Sequence, residues 1–105
     1  MKEPQYQNKL KKTLKERFPD AMILKNDPNW LQGVPDFTIL LGDRWATLEI
    51  KTSEAEPHQP NQDYYVNKMN EMSYSAFIFP EKEKEILDEV QRALESGRTP
   101  CVSQS

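Results

Sequence analysis

Two strand-like runs separated by two turn residues constrain this chain more than anything else in it. Phe37–Leu41 and Arg44–Ile50 are rich in β-branched, aromatic and aliphatic residues, and Gly42-Asp43 stands between them. A glycine in a two-residue loop is the usual signal of a tight hairpin, and loop length fixes the register. Leu41 then faces Arg44, Leu40 faces Trp45, Ile39 faces Ala46, Thr38 faces Thr47, Phe37 faces Leu48, and Asp36 faces Glu49. Side chains alternate between the two faces of a sheet. One face carries Phe37, Ile39, Leu41, Ala46, Leu48 and Ile50, which is a core face. The other carries Asp36, Thr38, Thr47, Glu49 and Lys51, with Leu40 and Trp45 near the turn. A slip of one residue would send the two carboxylates to opposite faces.

Like charges directly opposed in a sheet are unfavourable, with Cβ atoms only about 4.5–5.5 Å apart. Asp36 and Glu49 therefore need a cation, a shared proton or Lys51 to offset their repulsion. Hard oxygen ligands so arranged suit Mg²⁺ or Mn²⁺. Such an ion stabilises charge on a phosphodiester and activates water. Beside two carboxylates, Lys51 is better suited to positioning and electrostatics than to acting as a base. The plain alternative is a strand start at Asp36 and an exposed ion pair between Glu49 and Lys51. Singly each residue favours that reading, and jointly, in this register, they favour chemistry.

The rest of the chain supplies a frame of one small α/β domain, in the order α-β-β-β-α-β-α. A helix is expected over residues 4–18, with Pro4 in its first turn and Tyr6, Leu10, Leu14 and Phe18 as its apolar stripe. Ala21–Lys25 reads as a short strand. Residues 26–33 read as loop, with Trp30 and Leu31 anchoring it. Ser53–Gln59 is polar loop, and a helix begins at Pro60 and runs to about Asn70. Tyr74–Phe79 is a strand, and Glu81–Ser96 a helix with Gly97 as its C-cap. The domain spans 1–97, and 98–105 reads as a tail. The 105 residues contain one cysteine and one histidine, so neither a disulfide framework nor a thiolate cluster is expected. No apolar run is long enough to cross a membrane, and a cytoplasmic protein is expected.

Gly33-Val-Pro-Asp-Phe37, then Leu48-Glu-Ile-Lys51, then a glutamine at the head of a helix, resembles the PD-(D/E)XK nuclease superfamily. The resemblance is greatest to its virus-type replication–repair nuclease (VRR-NUC) branch, which is related to Holliday junction resolvases, and it covers roughly residues 33–80. It implies a restriction-endonuclease-like fold, a mixed sheet flanked by helices. It also implies a Mg²⁺- or Mn²⁺-dependent endonuclease acting on DNA, selective for branched or flapped structures or nicking. Asp36, Glu49 and the Ile50 carbonyl would hold the metal, and Lys51 would be the catalytic lysine. Gln62 matches the family glutamine, with Gln59 as rival. Glu3 and Glu16 are the candidates for a further acidic ligand from the first helix. A homodimer is the natural assembly for so small a nuclease, and the brevity of the chain is similar to that of phage-encoded members, which would place it in the host cytoplasm.

Other residues are candidates for contacting DNA: Lys9 and Lys12 on the first helix, Thr52, Ser53, His58 and Gln59 after the lysine, and Tyr64 for stacking on a base. A solvated helix face, turn chemistry or core packing explains each of them as well. The competing class is a non-catalytic module with a nuclease fold that binds DNA or protein, against which the intact Asp36, Glu49 and Lys51 argue. The net charge of -3 does not exclude nucleic acid, because charge is polarised along the chain. Residues 1–25 hold seven Lys+Arg against three acids, whereas residues 81–95 hold six acids against three bases.

Overall fold

The computed structural model describes residues 2–96. The expected Gly97 cap and the tail after it lie outside the described residues. The elements follow in the order α1 (Glu3–Arg17), β1 (Met22–Lys25), β2 (Phe37–Leu41), β3 (Arg44–Ile50), α2 (Pro60–Met72), β4 (Tyr74–Ile78), a 3₁₀ turn (Pro80–Lys82) and α3 (Glu83–Ser96). The α-β-β-β-α-β-α reading agrees with this, apart from the 3₁₀ turn at Pro80, whose ring cannot donate to a helix ladder.

The hairpin adopts the expected register. Phe37 pairs with Leu48, Thr38 with Thr47, Ile39 with Ala46, Leu40 with Trp45, and Leu41 with Arg44. Gly42 makes the turn possible with φ of +64°. β1 adds antiparallel to β2 as an edge strand. β4 adds parallel to β3, which requires a crossover, and α2 is that crossover. The sheet order is β1-β2-β3-β4.

The two sheet faces are covered differently. Phe37, Ile39, Ala46, Leu48 and Ile50 join Tyr6, Leu10 and Leu14 of α1 and Leu87, Val90, Ala93 and Leu94 of α3 in one apolar core. Each fully buried aliphatic or aromatic side chain there contributes about 1.5–3 kcal/mol. Polar clasps fix the two helices in the same layer. Tyr6 donates to Glu83 at 2.9 Å, and Arg17 bonds both Asp88 (2.5 Å) and Gln91. α2 lies on the opposite face. There Thr47, Glu49, Lys51 and Ser75 are buried polar residues, and Thr47 donates to Ser75 at 2.7 Å. The apolar core thus leaves the second face free for chemistry. Among the described residues, no helix is long and apolar enough to cross a membrane.

The loop of residues 26–36 departs from expectation at Trp30, which is 88% exposed and anchors nothing. Gly33 fixes the loop instead. Its φ is +91°, and a Cβ there would lie 2.4 Å from Cβ of Asn61, at the start of α2. Gly33→Ala is therefore expected to lower stability by about 2 kcal/mol or more, combining backbone strain and overlap. Gly42→Asn, at an open turn position that asparagine tolerates, should change it far less. Urea unfolding of the two variants measures the difference.

Candidate active site

Asp36 immediately precedes β2, and its backbone is fixed from both sides. Its carbonyl accepts from the Asn26 amide at 2.8 Å. The Asn26 side chain donates to the Pro35 carbonyl and to Thr38 Oγ1, both at 2.8 Å. The Asp36 carboxylate accepts from the Ile50 amide at 2.8 Å, which ties it to the end of β3. Lys25 Nζ stands 3.9 Å from its other oxygen. Neither Asn26 nor Lys25 was among the sequence candidates. Their roles depend on β1 lying beside β2, and no motif encodes that.

Glu49 is 5% exposed. Burial first, and then the charge and hydrogen bond of Asp36, push its carboxyl up to about 8, against a smaller opposing pull from Lys51. The two carboxylates meet as the register requires, and their mutual repulsion adds to burial in favouring the protonated form of Glu49. Gln62 is the residue that joins Glu49 to Lys51. Its Nε2 donates to Glu49 Oε2 at 3.1 Å, while its Oε1 accepts from Lys51 Nζ at 2.7 Å and from the Gln59 amide at 3.0 Å. Two donors on the oxygen and an acceptor on the nitrogen fix the amide orientation. Of the two glutamines, Gln62 therefore reaches the carboxylate and the lysine. Gln59 stands before α2 and contributes its backbone.

The Lys51 side chain is 4% exposed, so its charge needs close partners. Besides Gln62 it donates to the Pro57 carbonyl at 3.1 Å and lies 3.6 Å from Glu56 Oε2. Glu56 Oε1 in turn accepts from the Thr52 amide at 2.6 Å and the Thr52 hydroxyl at 2.8 Å. Burial alone would raise the Glu56 carboxyl, but Thr52 and Lys51 outweigh it and hold the group below the ordinary carboxylate range. The sequence reading missed Glu56, and only the folding of the 52–59 loop brings it to the lysine.

The remaining candidates separate by position. Burial first, and then Asp36 and Glu56, raise the carboxyl of Glu3 at the start of α1, and Lys51 and Lys25 oppose them, so it shares the electrostatic environment of the site. Glu16 is exposed near the other end of α1, about 20 Å farther along the helix axis. Lys9 and Lys12 are exposed on α1, across the sheet from α2. His58 stacks on Phe77 with ring centroids 3.8 Å apart, and its Nδ1 lies 3.0 Å from Asp63 Oδ1. Tyr64 is 60% exposed on α2, edge-on to Tyr65. Ser53 is half-buried in the loop after Lys51.

Among the described residues, no group of three or more His, Cys, Asp or Glu side chains is set to hold a metal ion. Mg²⁺ commonly takes only one or two carboxylates and keeps its waters. A half-buried Asp36 set against a buried Glu49, two carboxylates that repel one another, fits such an ion. Asp36 and Glu49 would hold it, with the Ile50 carbonyl at the same strand end.

Comparison with protein-family models, with curated proteins and with solved structures finds no match to this chain.

The raised value of Glu49 belongs to the folded state, so its protonated form adds stability that is fully present below about pH 4.5 and lost as pH rises through about 8. In EDTA, Glu49→Gln keeps a neutral polar side chain and should escape that loss. It is expected to melt above the parent at pH 8.5, by about 5 °C, with the gap closing towards pH 4.5. Thermal unfolding across that range measures it, and a gap independent of pH would contradict the assignment.

Proposed function

We propose that this chain is a divalent-metal-dependent endonuclease that hydrolyses DNA phosphodiester bonds, with a PD-(D/E)XK core most similar to the VRR-NUC branch. One observation carries the reading. Asp36 and Glu49 come together from neighbouring strands, and Gln62 links that pair directly to a buried Lys51. An exposed surface ion pair would need neither the burial nor the shared glutamine.

Mg²⁺ or Mn²⁺ bound by Asp36 and Glu49 would neutralise charge on the phosphodiester and lower the pKa of a bound water. The Ile50 amide holds Asp36 in place, so that carboxylate is preorganised. Gln62 holds the Lys51 ammonium against the same end of the sheet, where it favours negative charge developing on a phosphate. The parallel pair β3–β4 ends at this point, and open α/β sheets bind ligands at the carboxyl ends of their strands. Trp30 and Tyr64 offer exposed aromatic surface for unpaired bases, which supports branched or flapped DNA as substrate. A twofold dimer would present two such sites to two strands.

Purified chain should cleave flapped or four-way-junction DNA in Mg²⁺ or Mn²⁺ and not in EDTA. Asp36→Ala, Glu49→Ala and Lys51→Ala should each lower the rate by about 10²-fold or more. Gln62→Ala should lower it less, because it positions the lysine and carboxylate without holding the metal. Cleavage that survives all three substitutions excludes the site, and metal-independent binding without cleavage favours the non-catalytic module.

A further inference from the structure

We propose that Glu56 occupies a phosphate-binding pocket formed by Thr52 and Lys51, and that a phosphate of the nucleic acid displaces it when substrate binds. The proposal rests on the nuclease reading for the identity of the ligand, but the pocket itself is defined by its donors. The Thr52 amide and hydroxyl converge on one oxygen of Glu56, at 2.6 and 2.8 Å, and the Lys51 ammonium faces the other oxygen at 3.6 Å. A backbone amide and a hydroxyl on one oxygen and a buried cation facing the other form a site for a two-oxygen anion, and a carboxylate and a phosphate satisfy it in the same way.

The geometry also shows which part can leave. Lys51 has three N–H donors. Two stay within the protein, on Gln62 Oε1 at 2.7 Å and on the Pro57 carbonyl at 3.1 Å. The third is the one available to Glu56. The Glu56 side chain is 27% exposed and Lys51 only 4%, so the carboxylate can swing to water while the lysine stays. After that movement the lysine keeps two bonds, and its third donor, the Thr52 amide and the Thr52 hydroxyl face an incoming anion together. Through Gln62 this pocket is one side chain away from Glu49. The phosphate it takes is therefore one beside the carboxylate pair. Glu56 would keep the lysine partnered in the free protein and would compete with weakly bound anions.

Inorganic phosphate is the probe, in EDTA at fixed ionic strength, and the Thr52 amide resonance is the reporter. Glu56→Gln keeps an oxygen acceptor for Thr52 and loses the charge that holds Lys51. It should bind phosphate about tenfold more tightly than the parent chain, with the Thr52 amide shifting to saturation. Glu54→Gln removes an equal charge from an exposed position in the same loop and should bind as the parent does. A Thr52 amide that does not respond in Glu56→Gln overturns the proposal, as does an equal gain in Glu54→Gln. Should Glu56→Gln not fold, the parent chain decides. Its Thr52 amide must move selectively at high phosphate, and a silent amide overturns the pocket. Phosphate binding without DNA cleavage would leave the pocket standing and remove the nuclease reading. Cleavage without any gain in Glu56→Gln would do the reverse.

Discussion

Neither Glu49 nor Lys51 could be buried under α2 alone. Glu49 lies in β3 and Lys51 directly follows its last residue, and two residues apart in extended chain they share a face, the one opposite the apolar core. An isolated buried charge costs many kcal/mol, and a buried pair is tolerated only with good geometry and its remaining donors and acceptors satisfied. Gln62 meets that requirement for both residues at once. It does so only if α2 starts where Pro60 starts it, since Gln62 lies in the first turn. The position of α2, and hence the β3–α2–β4 crossover, is thereby coupled to the polar face of the sheet. Among the described residues no buried side-chain polar atom lacks a partner.

Asp36 is held by a different logic. Its partners are the backbone amide of Ile50 and, at longer range, Lys25, and the Asn26 contacts lock the turn that carries it. The hairpin then forces it against Glu49. A sequence selected for stability alone would avoid two opposed carboxylates. Local rules tend to be broken at functional sites, and here a stable register maintains the violation. The same carboxyl that is pushed up to about 8 in the folded protein is the one a cation would release from its proton.

The parts of this arrangement that follow from local rules are legible in the sequence. Gly42-Asp43 dictates a two-residue turn, and every residue pair from Phe37–Leu48 to Leu41–Arg44 follows from it. The apolar stripe of α1 is legible for the same reason, since spacing alone selects Tyr6, Leu10 and Leu14. What long-range packing decides is not legible. Glu3 and Glu16 are equivalent acids on one helix until the direction of that helix relative to the sheet is known. Trp30 reads as an anchor on its hydrophobicity, yet the loop is fixed by Gly33 against Asn61 and the indole is left outside. Glu56 is one more acid in a polar loop until the loop folds back onto Thr52 and Lys51.

The distribution of charge follows from the layers. The acids of α3 lie on the core side of the sheet, where α1 partly neutralises them, Arg17 against Asp88 being the closest pair. They are across the sheet from Glu49 and Lys51 and are separated from them by the apolar core. A polyanion approaching the α2 side therefore meets a different field from the one the net charge of -3 suggests. Screening over about 8 Å at physiological salt reduces the distant acids further. The negative groups of the site itself are Asp36, Glu49, Glu3 and Glu56, and α2 adds Asp63 and Glu71 on its exposed surface. A divalent cation at the carboxylate pair would offset the first two, and of these acids Glu56 is the one in contact with Thr52 and Lys51, where a bound phosphate would have to displace it.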